Sequence, residues 1–203
     1  MHIDVISALI ARAPAYYNVG RDKRLYHNWA HALDVVENIG LISGNPSVHL
    51  TLAGYWHDAV YYPGHPNNES ESAIALMAAF ADISADHPEA SEYRPIVHTT
   101  MELIEQTKIT DHLTCEQVQG DLAVLLDSDL NAFQLPYEQF RTKQFDIILE
   151  NGGNVVNDKA KSAQFLKQFL TARPYIFHTD VAREHWESIA RKNITRWCKE
   201  AGV

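Results

Sequence analysis

Three short segments carry imidazole and carboxylate groups in an order suited to a divalent cation. Tyr26-His27-Asn28-Trp29-Ala30-His31 sets His27 and His31 one helical turn apart. His57-Asp58 is an adjacent pair near the end of an apolar run, and Leu126-Asp127-Ser128-Asp129-Leu130 closes another run with two carboxylates. Neutral imidazole combined with carboxylate suits Mn, Fe, Co, Ni or Zn. Two histidines and two aspartates balance the charge of a divalent ion. On a six-coordinate ion they leave positions for water and for a phosphoryl oxygen, an arrangement that acidifies the water and polarises phosphorus. The doublet alone is a weak signal, since such pairs occur by chance. Polar groups satisfied at helix ends explain any one of these residues, but not all of them in this order.

Such groups need elements that end near one another, and the hydrophobic pattern is helical nearly throughout. The spacing predicts helices over 2–13, 28–43, 47–59, 68–84, 90–107, 115–127, from Pro136 to the Asn151-Gly152-Gly153-Asn154 run, 158–171 and 179–200. The expected inward stripes include Trp29, Leu33, Val36 and Gly40 in the second helix, and Ile74, Met77, Ala78 and Ala81 in the fourth. Asn68 followed by Glu71 reads as a capping box. The Tyr62-Pro63-Gly64-His65-Pro66 segment must be a loop. Adjacent helical residues point about 100° apart. His57 and Asp58 therefore reach one ion only where their helix ends, or where the ion lies in a groove between helices. No run alternates with period two, so the expected class is all-α, an irregular helical bundle. Residues 1–203 fit a single domain, with a C-terminal helical extension over about 136–203.

Composition narrows the partners. The net charge is −9, which argues against long nucleic acid because polymer binding needs a basic face. A small phosphorylated substrate needs only a metal and one or two local cations. No stretch approaches the roughly 20 apolar residues of a membrane span. The N-terminal residues lack a signal-peptide pattern, so the cytoplasm is the expected compartment. Cys115 and Cys198 are expected to be two free buried thiols.

The order His31…His57-Asp58…Asp129 resembles the H…HD…D signature of the HD-domain superfamily of metal-dependent phosphohydrolases. The likeness continues in His31-Ala32-Leu33-Asp34-Val35-Val36, Arg24-Leu25-Tyr26-His27-Asn28, Trp56-His57-Asp58-Ala59-Val60-Tyr61, Asn68-Glu69 with Ser72-Ala73, and Ala190-Arg191-Lys192-Asn193. These segments are similar to a bacterial subgroup of HD phosphohydrolases of about this length, and they span nearly the whole chain. The resemblance implies an HD-like helical fold and one divalent ion per chain (Mn, Fe, Co, Ni, Zn or Mg) on His31, His57, Asp58 and Asp129. It leaves Asp127 as a cap or a partner that orients a histidine. Glu69 and His27 are the candidates for moving the proton. Arg24, His112 and Arg191 are the candidates for touching phosphate.

The resulting expectation is hydrolysis of a small phosphate ester or anhydride, a nucleotide fitting best. Two alternatives stand beside it. One is a di-iron HD oxygenase with added ligands such as His98 and His112; the other is a non-catalytic module that binds a nucleotide or metal. Exposed faces of bundle helices often mediate dimers, which leaves a homodimer open.

Overall fold

The computed structural model describes residues 4–17, 24–113 and 118–203. Every regular element among them is helical, and none is a strand. No helix among them is long and apolar enough to cross a membrane. The chain divides into two compact units, Met1–Thr107 and Lys108–Val203.

The first unit holds α1 (Val5–Tyr17), α2 (Trp29–Ser43), α3 (Val48–Trp56), α4 (Asn68–Asp86) and α5 (Arg94–Glu105). Short α3 is its centre and packs against α1, α2, α4 and α5. Its buried residues Leu50, Leu52, Ala53, Gly54 and Trp56 leave little polar face, as expected of a core helix. Burying a side chain such as Leu50 or Leu52 is worth about 1.5–3 kcal/mol. Gly54 lets α2 come close: a Cβ there would lie 2.7 Å from Ile39 Cδ1 and 2.9 Å from Val36 Cγ2.

Several boundaries and faces differ from the sequence reading. Helix α1 passes through Pro14 to Tyr17, whose buried ring meets Trp29 and whose hydroxyl donates to Tyr55 O at 3.0 Å. The expected 90–107 helix is a 3-10 turn, Pro88–Tyr93, followed by α5, which starts with Pro95 in its first turn. The buried stripe of α2 is His31, Ala32, Val35, Asn38, Ile39 and Ile42, while Leu33 is exposed. The buried face of α4 includes Ala73, Leu76, Phe80 and Ile83, and Ile74 faces solvent. Alanines on several sides of α4 make its periodicity ambiguous, and the bulk of Leu76 and Phe80 decides the face. Asn68 is no cap: the residue before α4 is Asn67, which makes no side-chain capping bond.

The second unit holds α6 (Ile109–His112), α7 (Gly120–Asp129), α8 (Tyr137–Glu150), α9 (Val155–Thr171), α10 (Asp180–His185) and α11 (Glu187–Ala201). Helix α7 opens at Gly120, whose φ of +65° suits glycine, and runs to Asp129. Residues 2–3 of the expected 2–13 helix and residues 115–117 of the expected 115–127 helix, Cys115 among them, lie outside the described residues. Helices α9 and α11 pack together, and Phe133, Phe140, Phe169 and Trp197 fill the core through edge-to-face contacts. Asn193 Nδ2 donates to Phe133 O and Leu135 O, each at 2.8 Å, and so satisfies the 3-10 turn that follows α7. The expected 179–200 helix breaks at Trp186. There φ is −115°, and the ring packs edge-on against Phe177. Cys198 is a free buried thiol.

Candidate metal centre

His31 lies in the first turn of α2. Asn28 caps that turn, accepting from His31 N–H at 3.2 Å through Oδ1, while its Nδ2 donates to Leu25 O at 2.9 Å. The cap fixes where the imidazole leaves the helix. Asn just before an apolar helical run is a legible capping signal, which the sequence reading passed over. Tyr26, also buried, lays its ring 4.7 Å from that of His31.

His57 is the C-terminal cap residue of α3, and Asp58 follows as the chain leaves the helix. This is the helix-end geometry that the adjacent pair requires. His57 Nδ1 donates to Gly54 O at 3.0 Å, which puts a proton on Nδ1 and turns Nε2 away from the helix end. That Nε2 lies 3.1 Å from Asp58 Oδ2 and 3.4 Å from His31 Nε2, and His31 Nε2 lies 3.7 Å from the same Asp58 oxygen. Neighbouring donors about 2.1 Å from a six-coordinate ion stand about 3.0 Å apart, and around a tetrahedral ion about 3.4 Å. Two sides of the triangle, 3.1 and 3.4 Å, have those dimensions, and the third, 3.7 Å, is longer. Both imidazoles are buried and Asp58 is partly exposed, so three groups of metal-ligand type gather at one place. A metal ion or a proton among them would bind these donor atoms together.

Among the described residues, one group of ligand-type side chains could hold a metal ion. Its members in the first unit are His31, His57 and Asp58, each offering a donor atom, all within 4.8 Å of one another. They are three of the four residues that the family resemblance implies as ligands; the fourth, Asp129, ends α7 in the second unit.

The other sequence candidates take varied places. His27 stacks on Tyr61 at 3.8 Å between ring centroids, and its ring is 6.0 Å from that of His31. Glu69 stands half-buried in the first turn of α4. Arg24 donates through Nη1 to Asp58 O at 2.9 Å and through Nη2 to Ala59 O at 3.2 Å. His112 ends α6; with Asp129, Leu126, Arg173 and His178 it lines a small cavity of the second unit. Arg191 pairs with Glu187 at 2.7 Å and also donates to Pro174 O. His98 is exposed on α5.

Polar groups around the 173–179 segment carry structure that the sequence reading missed. Asp127 is fully buried and accepts from His178 N–H at 2.8 Å, Thr179 N–H at 2.7 Å and the Thr179 hydroxyl at 2.8 Å. It therefore ties this segment to α7, two residues before Asp129, and the histidine it holds is held by its backbone. Burial pushes the Asp127 carboxyl up to about 6, against the three hydrogen bonds that hold it down. Arg173 Nη1 donates to His178 Nε2 at 2.8 Å and to His112 O at 3.1 Å. Arginine has no acceptor, so His178 must be neutral at Nε2. Burial, with the Arg173 charge, pushes His178 down to about 3. Glu187 accepts the N–H groups of Ile176 and Phe177. Nothing in local periodicity marks these residues, whose partners lie up to 61 positions away.

Comparison with protein-family models, with curated proteins and with solved structures finds no match.

Proposed function

We propose that the chain is an HD-type metal-dependent phosphohydrolase acting on a small phosphate ester or anhydride, with a nucleotide as the best-fitting substrate. One observation carries this reading: two buried imidazole Nε2 atoms and a carboxylate oxygen converge at 3.1–3.7 Å, with His57 Nδ1 held by the Gly54 carbonyl. Imidazole with carboxylate favours Mn, Fe, Co, Ni or Zn, one ion per chain. The proposed ligands are His31, His57, Asp58 and Asp129. When bound, the ion supplies Lewis acidity, lowering the pKa of water and withdrawing charge from phosphorus.

The chain's own residues manage the rest. In the proposed step the water oxygen bonds to phosphorus, the bond from phosphorus to the leaving oxygen breaks, and one proton passes from the water to that oxygen. His27, stacked on Tyr61 with its ring 6.0 Å from that of His31, is the proposed carrier of the proton. Glu69 is the other candidate for that task. His112, in the cavity that Asp129 also lines, is a candidate contact for phosphate.

The test is a metal-by-substrate screen of the full chain, with His57→Ala and Asp129→Ala as controls. The expected result is about one tightly held divalent ion per wild-type chain, cleavage of some phosphate esters or anhydrides, and loss of both in the variants. Full activity or unchanged metal content in both variants would overturn the site. Tight nucleotide binding by the metal-loaded protein without cleavage of a broad phosphate panel would replace the enzyme reading with a non-catalytic module.

A further inference from the structure

From Asp58 to Tyr62 the chain leaves the helical ladder, with Ala59 N–H still bonded to Trp56 O at 3.1 Å, so its other backbone polar groups need partners from elsewhere. Side chains from two other segments provide them. Arg24 takes the carbonyls of Asp58 and Ala59 with its two terminal nitrogens, at 2.9 and 3.2 Å. Ser72 Oγ accepts from Val60 N–H at 3.0 Å and donates to Val60 O at 3.1 Å. Asn68 Oδ1 accepts from Tyr62 N–H at 2.9 Å, and its Nδ2 donates to Tyr62 O at 3.0 Å. Both α4 residues are buried. The turn that presents the doublet is thus gripped along its length.

Arg24 is the grip nearest the doublet. Its planar fork spans two successive carbonyls, which the point charge of lysine does not reproduce. Its guanidinium also lies 5.5 Å from the Tyr17 ring centroid. Its Nε is buried and has no hydrogen-bond partner among the described residues. Holding the Asp58 carbonyl fixes the plane of the peptide next to the Asp58 side chain. That in turn limits how the carboxylate can swing relative to His57 and His31.

We propose that Arg24 is a positioning residue for the metal centre: by gripping the Asp58 and Ala59 carbonyls it holds the Asp58 carboxylate in ligating geometry and so sets metal affinity. This gives Arg24 a task other than clamping phosphate, and it rests on the reading of the site as a metal centre.

The test uses the full chain, metal-free, as wild type, Arg24→Lys, Arg24→Gln, Arg24→Ala and His57→Ala. Each is titrated with Mn2+ by calorimetry. Cobalt-loaded samples are read by visible absorption, and metal-free samples by thermal melting. Arg24→Lys and Arg24→Gln are expected to bind Mn2+ about 10- to 100-fold more weakly than wild type, the usual effect of losing a group that orients a ligand. Their cobalt bands should shift, because the ligand field changes, and His57→Ala should mark the limit of lost binding. A merely structural arginine would lower the melting temperature and leave affinity and bands alone. Affinity within about twofold of wild type in both variants overturns the proposal. If Arg24→Ala does not fold, the lysine and glutamine variants decide. A wild-type chain that binds neither Mn2+, Co2+ nor Zn2+ defeats the metal reading itself, an outcome distinct from a wild type that binds and variants that bind equally.

Discussion

His57 and Gly54 are joined across the last turn of α3, with the ring Nδ1–H of His57 donating to the Gly54 carbonyl at 3.0 Å. One bond thereby orients the ring, aims Nε2 at Asp58 and His31, and satisfies a carbonyl at a helix end. Gly54 serves α2 as well, because its missing side chain leaves room for Ile39 and Val36. Gly54→Ala should therefore cost about 1–3 kcal/mol of stability through overpacking. Urea unfolding would measure this as a lower midpoint with an unchanged slope. A variant as stable as wild type would mean that α2 gives way freely at Gly54.

Removing the metal should also destabilise the chain. A ligand that binds only the folded state adds about 2.7 kcal/mol when its concentration is 100 times its dissociation constant. Chelation should lower the melting temperature of wild type, and adding Mn2+ back should restore it. His31→Ala, which removes a buried donor 3.4 Å from His57 Nε2, should melt at one temperature with or without metal. A metal-dependent melt in that variant would remove His31 from the ligand set.

Asp127 should prove more important to stability than its two-residue distance from Asp129 suggests. Asp127→Ala leaves the N–H groups of His178 and Thr179 and the Thr179 hydroxyl without their acceptor. The expected loss is about 3 kcal/mol, that of a buried charged acceptor. Thermal melting of the metal-free protein reads it without interference from ligation. A change under about 0.5 kcal/mol, typical of surface positions, would show that the 178–179 backbone finds other partners.

His178 should stay neutral far below the ordinary histidine range. Its folded pKa lies near 3 against 6.5 in the unfolded chain, so between those values the unfolded chain binds the extra proton. Its stabilisation is complete above about 6.5 and is lost as pH falls toward 3, by at most about 1.4 kcal/mol per pH unit. Asp127 has the opposite sign. Its folded pKa is raised from 3.8 to about 6, so its contribution is complete below 3.8 and is lost as pH rises through 6. The two oppose each other from 3.8 to 6, which flattens this part of the stability profile. Imidazole NMR should find His178 protonated on Nδ1 alone and not titrating at pH 5 to 7. A titration near 6.5 would show that the Arg173 contact opens in solution.

The helical class and the ligand types are legible in the amino-acid order alone. An apolar residue at every third or fourth position selects a helix whatever surrounds it. His31, His57-Asp58 and Asp129 stand out because few residue types bind metals and because helix ends recur beside them. Asn28 was equally readable as a cap, since a cap acts on the next three residues. Tertiary structure alone decided what holds these groups still. Arg24 reaches carbonyls 34 and 35 positions away, Ser72 acts on Val60, and Asp127 holds the backbone of His178 and Thr179. It also decided that α4 buries Leu76 and Phe80 while Ile74 faces solvent, and that the last long helix breaks at Trp186. The reason is physical. Helical periodicity depends on neighbours within about one turn, whereas a side chain that bonds to remote backbone depends on how whole helices pack, which no local spacing contains.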